Sequence, residues 1–153
     1  MSALYLLDPA AVGTSNALSK SEVLEALAER FARVYDLDAP MVLEAMEERE
    51  RLGSTGFGRG VAIPHARIPG LRRPVCVVMR LTTPVSFDSA DGLPVEIAFG
   101  LLSPDQSGAT HLHALAAISR MLRDERLRDR LAEAPNDEAV FALLSEDSGR
   151  DAA

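Results

Sequence analysis

His65 and the arginines around it are the residues of this 153-residue chain best suited to chemistry. The histidine follows a short apolar segment, Val61–Ile63, and Pro64. The nearby arginines are Arg49, Arg51, Arg59 and Arg67. A neutral imidazole can attack phosphorus through one ring nitrogen while an acceptor holds the proton on the other, and arginine offsets the charge of the transferred group. The alternative is a histidine that ends a buried strand and bonds to backbone.

The residues before His65 predict how its side chain is presented. Pro64 has a fixed φ and no N–H, so we expect the chain to leave the sheet there and to place His65 at the sheet's rim. Four glycines precede the apolar segment: Gly53, Gly56, Gly58 and Gly60. They allow positive φ and close backbone approach, which suits a loop that offers amide groups to an anion.

His111 is the second candidate site residue. It lies in the first turn of a predicted helix that Thr110 can cap. The helix dipole there disfavours the protonated ring and leaves a neutral donor for a bound anion. The alternative is an ordinary polar first-turn residue. His113 faces another side of the helix and is the weaker candidate. Arg49 also has a simpler explanation, since a cation in the last turn of a helix complements the dipole.

Several other chemistries lack the residues they need. The glycine-rich segment is neither a Walker loop nor a dinucleotide-binding fingerprint, so we predict no nucleotide cofactor. The histidines have no CxxC or HExxH partners, and we predict no metal, although His111 and His113 leave that alternative open. Cys76, in the middle of an apolar run, is interpreted as a buried small side chain and not as a phosphoryl acceptor.

The composition predicts one globular domain over residues 1–153. Hydrophobic residues make up 47% of the chain and charged residues 25%. The net charge of −7 argues against nucleic-acid or anionic-membrane binding, so any anion site must be locally basic. No apolar run approaches the ~20 residues of a membrane span, and the single cysteine fits a reducing compartment. We therefore predict a cytoplasmic protein with no membrane insertion.

Periodicity predicts five helices. The first begins at Ser19, which has a capping-box partner in Glu22, and the second begins after Asp38 and ends near Gly53. The third carries His111, and the fourth covers the charged stretch to Ala134. The last is capped by Asn136, and we expect the polar segment 147–153 to fray.

Three apolar runs predict strands: Val61–Ile63, Val75–Leu81 and Val95–Leu102. The last two runs are almost continuously apolar, which is typical of strands covered on both faces, so we predict an α/β fold with helices on each side of a central sheet. Val85–Phe87 could add a short edge strand. Residues 1–18 give little signal.

Several segments together resemble a known family. They are Arg49–Gly56, Gly60–Ala66, Phe87–Val95, Leu101–Pro104 and Thr110–Leu115. They resemble the signature of the type-2 enzyme IIA (EIIA) domains of the bacterial phosphoenolpyruvate-dependent phosphotransferase system (PTS), the fructose/mannitol class. The THLH stretch makes the chain most similar to the nitrogen-regulatory branch. The resemblance covers most of the chain.

The resemblance implies a three-layer sandwich, a central mixed β-sheet with helices on both faces, and a phosphotransferase component with a histidine intermediate. His65 would accept the phosphoryl group on Nε2 from phospho-HPr or its nitrogen-branch counterpart. Arg49 would stabilise charge, His111 would be the second active-site histidine, and Thr55 would contact the phosphoryl group. Ala66 stands where the family often has glycine. Alanine restricts φ at this position to negative values more strongly than glycine would.

The destination of the phosphoryl group stays open. The nitrogen-branch reading implies signalling to regulatory partners. One alternative is a sugar-transport EIIA that passes the group to a cysteine of a fructose/mannitol-type EIIB. The other is a protein-docking module that no longer transfers phosphoryl groups.

Overall fold

A computed structural model gives the backbone of residues 4–152 and the side chains of residues 4–146. The strands are β1 (Leu6–Ser15), β2 (Gly56–Gly58), β3 (Val61–Ala62), β4 (His65–Ile68), β5 (Val75–Val85) and β6 (Val95–Pro104). The helices are α1 (Lys20–Tyr35), α2 (Ala39–Arg51), α3 (Ala109–Leu122), α4 (Glu125–Glu133) and α5 (Asp137–Ala152).

All the strands belong to one mixed sheet with the order β1-β5-β6-β3-β2, in which β4 also pairs with β6. The central pair, β5 and β6, is antiparallel, and β1 runs parallel to β5. Both β3 and β4 run parallel to β6. Parallel and antiparallel pairs are thus combined, as expected for a mixed sheet.

The two faces of the sheet are covered by different helices. Along β5, Val77 and Met79 pack in one apolar cluster with side chains of α1 and α2. Cys76 and Val78 alternate with them and pack in a second cluster with α3, α4 and α5. Alternation along a strand sends successive side chains to opposite faces, so a strand covered on both sides must be apolar throughout. The predicted three-layer α/β architecture is confirmed.

Three helix starts match the predicted caps. Ser19 Oγ accepts from the Glu22 amide at 3.1 Å, and Asp38 Oδ2 accepts from the Met41 amide at 3.1 Å. Asn136 Oδ1 accepts from the Ala139 amide at 2.9 Å. Each acceptor satisfies an amide that has no partner within the helix.

The predicted cap of α3 is wrong. This helix begins at Ala109, and its N-cap is Gly108, with φ of 54° and no side-chain hydrogen bond. Thr110 therefore lies inside the first turn. A glycine can take this positive φ at no steric cost, so the helix begins before Thr110.

Three strands were missed from the sequence, and one predicted strand does not exist as a separate element. In β1, the pairing shifts between Leu7 and Val12, so the alternation that would reveal an edge strand is interrupted. The other missed strands, β2 and β4, are too short to show a period. Val85 ends β5 and pairs with Val95, so Val85–Phe87 is not an added edge strand.

The chain does not leave the sheet at Pro64, contrary to our expectation. Val61 pairs with Ile97 and His65 with Leu101, so β3 and β4 are successive segments beside the same strand. The Leu101 amide donates to the Pro64 carbonyl at 2.9 Å. Proline lacks a donor but keeps its acceptor, and this edge position uses only the acceptor.

Three further observations concern the end of α5, the buried Cys76 and the length of the helices. The backbone of α5 is helical to Ala152, so this helix is longer than the polar segment led us to expect, and Ala153 lies outside the described residues. Cys76 is fully buried, as predicted, and burial raises the pKa of its thiol. Within the described residues, no helix is long and apolar enough to cross a membrane.

Candidate active site

His65 lies at the edge of the sheet, and its two ring nitrogens have different partners. Nδ1 is 2.7 Å from the Ile63 carbonyl oxygen, and Nε2 is 3.2 Å from Nε of Arg49. A carbonyl can only accept and a guanidinium can only donate. Nδ1 must therefore carry the proton and Nε2 must carry the lone pair. Both contacts assign the same neutral tautomer.

Arg49 is held in place by a second bond. It lies in the last turn of α2, and its Nη1 donates to the Gly53 carbonyl at 2.9 Å. The guanidinium thus bridges His65 and the turn that follows α2. Since a planar guanidinium has its donors in a fixed fork, one anchored donor restricts the others.

The surroundings of His65 keep its ring neutral. Burial lowers its pKa, and the positive charge of Arg49 lowers it further. The hydrogen bond to Ile63 and the charge of Glu50 act in the opposite direction but are outweighed. The Nε2 lone pair is therefore available near neutral pH.

His111 lies close to His65 and is almost completely buried, with 6% of its surface exposed. The ring centroids are 5.6 Å apart. Nδ1 of His111 is 2.7 Å from Oγ of Ser103. Burial, followed by the charges of His65 and Arg67, lowers the pKa of His111 to about 4. A pKa this low favours the neutral ring, and burial is its principal cause.

A cleft of about 450 Å³ brings these groups together. It is lined by Arg49, His65, Arg67 and His111, with Ala45, Glu48, Leu52 and Ala66 around them. The cleft lies where β4 meets α2 from one helical layer and α3 from the other. Two imidazoles and two guanidiniums on one open surface can accommodate a group with several negative oxygens.

Only two of the four arginines near His65 in sequence line this cleft. Arg51 lines a separate cleft with Lys20 and Glu50. Arg59 forms the turn between β2 and β3, where its amide donates to Asp91 at 2.7 Å. The glycine segment does not form the expected anion loop, because Gly56–Gly58 is a strand paired with β3.

The comparison with protein families gives the family of this chain. Residues 6–147 match the family "Phosphoenolpyruvate-dependent sugar phosphotransferase system, EIIA 2". The chain belongs to this EIIA family. Its members are phosphotransfer proteins, as the resemblance implied.

Individual relatives support the same assignment. The chain is 44% identical over 127 residues to a nitrogen regulatory protein of Pseudomonas aeruginosa, covering 82% of each chain. It is 38% identical over 125 residues to a fructose-specific EIIA component of Haloferax volcanii, covering 82% of this chain and 80% of the relative. The crystal structure of the nitrogen regulatory protein IIA-Ntr from Neisseria meningitidis superimposes with a TM-score of 0.84 at 33% identity, covering 90% and 95% of the two chains.

Thr55, proposed from the EIIA resemblance to contact the phosphoryl group, does not line the cleft. Its hydroxyl donates to Glu50 Oε2 at 2.7 Å, and its amide donates to Oε1 at 2.6 Å. Lys20 Nζ lies 3.2 Å from the same carboxylate. Thr55 therefore contacts Glu50, the residue after Arg49.

Two buried polar residues next to the candidate site residues were missed by sequence reasoning. Glu50 is a buried carboxylate, and its only signal was its place between two arginines. Ser103 is fully buried, and its signal was a single polar residue at the end of an apolar run. Among residues 4–146, no group of three or more His, Cys, Asp or Glu side chains is arranged to hold a metal ion.

Proposed function

We propose that this chain is a phosphocarrier in which Nε2 of His65 accepts a phosphoryl group from the phosphohistidine of an HPr-type carrier. The observation that supports it is the tautomer of His65. Its proton is held by Ile63 O on one side, and its lone pair lies beside a guanidinium on the other. This is the state that an in-line attack on phosphorus requires.

The transfer exchanges one bond between nitrogen and phosphorus for another. The N–P bond of the donor histidine breaks as Nε2 of His65 forms a new one, and the electron pair of the broken bond returns to the donor nitrogen. The ring of His65 gains positive charge, which the Nδ1–H bond to Ile63 stabilises.

Arg49 and His111 would stabilise the transferred group. In the resting site, Arg49 donates to the Nε2 lone pair. Attack by Nε2 ends that bond and frees the same N–H for a phosphoryl oxygen. The neutral His111 ring adds a donor without the cost of a buried charge.

We infer that the output is regulatory, since the chain is 44% identical to a nitrogen regulatory protein over most of its length. In this reading, partner proteins respond to the phosphorylation state of His65. The second candidate is sugar transport through a fructose/mannitol-type EIIB, which the 38% identity to a fructose-specific EIIA component favours. A docking module without transfer would not need the ordered His65 tautomer.

Phosphorylation by a reconstituted donor system tests the proposal. The chain is incubated with phosphoenolpyruvate, enzyme I and an HPr-type carrier, and its intact mass is measured. We expect one acid-labile phosphoryl group on the wild type and on His113→Ala, and none on His65→Ala. His113 is the matched control because it is an exposed histidine of the same region. Modification of His65→Ala, or none of the wild type, contradicts the proposal.

The same material separates the two outputs. Phosphorylated protein is mixed with a purified fructose-type EIIB, and the loss of its phosphoryl group is followed. A slow loss, no faster than spontaneous hydrolysis, is expected for the regulatory reading. Rapid discharge to the EIIB cysteine would favour transport.

A further inference from the structure

Ser103 is a buried polar residue whose hydroxyl contacts His111. It lies in β6, is 0% exposed, and is flanked by apolar residues of the same strand. Polar side chains at such positions cost free energy unless they are hydrogen-bonded. Within residues 4–146, the partner of its hydroxyl is Nδ1 of His111, at 2.7 Å.

The sheet places Ser103 on the correct face for this contact. Leu101 and Ser103 are two residues apart in β6, so their side chains share a face. Leu101 packs in the cluster that includes Ala114 and Ile118 of α3, and His111 is in the first turn of the same helix. Arg67 of β4 pairs with Ser103 across the strands. The serine thus lies directly behind the cleft.

The direction of the hydrogen bond follows from burial. A hydroxyl has one hydrogen and two lone pairs. If Ser103 accepted from Nδ1–H, its own hydrogen would be sealed from water without an acceptor, since the described side chains offer it no other partner. An unpaired buried donor is costlier than an unused lone pair. Ser103 therefore donates to Nδ1.

That direction fixes the state of the other ring nitrogen. A neutral imidazole carries one proton, so an Nδ1 that accepts leaves the proton on Nε2. His111 lines the cleft, and its Nε2 has no protein partner among the described residues. An N–H group is then directed at the space beside His65. The opposite tautomer would present a lone pair there and repel phosphoryl oxygens.

We propose that Ser103 is a positioning residue that holds His111 as the Nε2–H tautomer, so that this N–H donates to a phosphoryl oxygen bound at Nε2 of His65. The assignment rests on the proposed phosphocarrier function but concerns a residue with no role in it so far. His65 and His111 are thereby held in opposite tautomers: one presents a lone pair to the cleft, and the other presents a proton.

The tautomer is measured directly in the unphosphorylated protein. Long-range ¹H–¹⁵N correlation of the imidazole rings distinguishes a protonated from an unprotonated ring nitrogen. At pH 7 we expect His111 to be protonated at Nε2 in the wild type and to show a mixture of tautomers in Ser103→Ala. Protonation at Nδ1 in the wild type, or an unchanged spectrum in Ser103→Ala, would overturn the assignment.

Transfer kinetics provide the functional half of the test. We expect Ser103→Ala to accept the phosphoryl group about tenfold more slowly, the loss typical of one positioning hydrogen bond. Ser89→Ala is the matched control, because Ser89 is also buried but its hydroxyl has no partner in the part of the chain that the structure describes. This control should transfer at the wild-type rate.

A double variant excludes a general structural effect. In a His111→Ala background, Ser103→Ala should cause no further slowing, because the residue through which it acts is absent. An equal tenfold loss in that background would overturn the proposal. A wild-type chain that takes up no phosphoryl group would end the phosphocarrier proposal instead, and the ring spectra would still decide whether Ser103 sets the tautomer.

Discussion

At the scale of single residues, the chemistry of the site depends on which ring nitrogen of His65 carries the proton and which carries the lone pair. Ile63 O holds the proton of His65 on Nδ1, and Arg49 contacts the lone pair on Nε2. Arg49 and His111 are each held by a neighbour outside the cleft. The Gly53 carbonyl does this for Arg49, and Ser103 does it for His111. In the proposed transfer, the groups around the phosphoryl group would thus be in place before a donor arrives.

Replacing Arg49 with lysine should slow phosphoryl uptake about a hundredfold, although the charge is kept. A lysine ammonium is a point charge and cannot bond to Gly53 and reach the phosphoryl group as a rigid fork. The initial rate of phosphorylation by an HPr-type carrier measures the effect. Arg51→Lys is the control, since Arg51 is two positions later in α2 and lines another cleft. Equal slowing of both variants would show that the arginine fork is unimportant.

Among the elements, the end of α2 is tied to the following loop by a buried carboxylate. Glu50 accepts the amide and the hydroxyl of Thr55 and lies 3.2 Å from Lys20 of α1. Lys20 also lies 5.1 Å from the centre of the Phe87 ring. This network joins two helices to the segment that carries Gly53, the residue against which Arg49 is anchored. We therefore assign Thr55 a supporting position and not a phosphoryl contact.

Glu50→Ala should lower the free energy of unfolding by about 3 kcal/mol, because it leaves a lysine and two donors of Thr55 without their partner. Urea unfolding followed by circular dichroism measures it. Glu44→Ala, at an exposed position of the same helix, should change the value by less than about 0.5 kcal/mol. Similar values for both variants would refute the structural role of the network.

The helices and strands also show which features of the fold can be predicted from the sequence. The caps at Ser19, Asp38 and Asn136 and the apolar runs of β5 and β6 were predictable, because caps and continuous burial leave local patterns. The pairing of β4 with β6 was not, since a four-residue strand has no period and Pro64 suggested an exit from the sheet. The contacts of Glu50 with Lys20 and of Ser103 with His111 were also beyond reach, because they join distant segments.

For the whole molecule, the two cleft histidines link folding to pH. Both have a pKa below that of an unfolded histidine, near 6.5, and that of His111 is about 4. The unfolded chain therefore binds more protons between these values. The contribution of the two neutral rings to the free energy of unfolding is fully present above about pH 6.5. It is lost as the pH falls toward 4. The same burial that keeps the rings neutral for transfer makes the fold sensitive to acid.

We expect the free energy of unfolding to be lower at pH 5 than at pH 7, with His111 contributing on the order of 1 kcal/mol. His111→Gln should reduce this difference. His113→Gln, at an exposed position of the same helix, should leave it unchanged. Urea unfolding at the two pH values provides the measurement. An equal pH dependence in wild type and His111→Gln would contradict the linkage.

Although the protein is acidic overall, two of its arginines lie together in the cleft beside His65. The net charge is −7, yet Arg49 and Arg67 both line the cleft beside His65. Leu52, at its rim, is 84% exposed. A partner protein that brings a phosphorylated histidine to this cleft would meet a cationic centre with an exposed leucine beside it, which suits a transient docking surface.

The most direct test of the account is the position of the phosphoryl group itself. Protein labelled with ¹⁵N in its histidines is phosphorylated with phosphoenolpyruvate, enzyme I and an HPr-type carrier, and the coupling between ³¹P and ¹⁵N is recorded. The account predicts a single phosphorus bonded to Nε2 of His65, with the proton still on Nδ1. Phosphorus on Nδ1 of His65, or on any other residue, would contradict it.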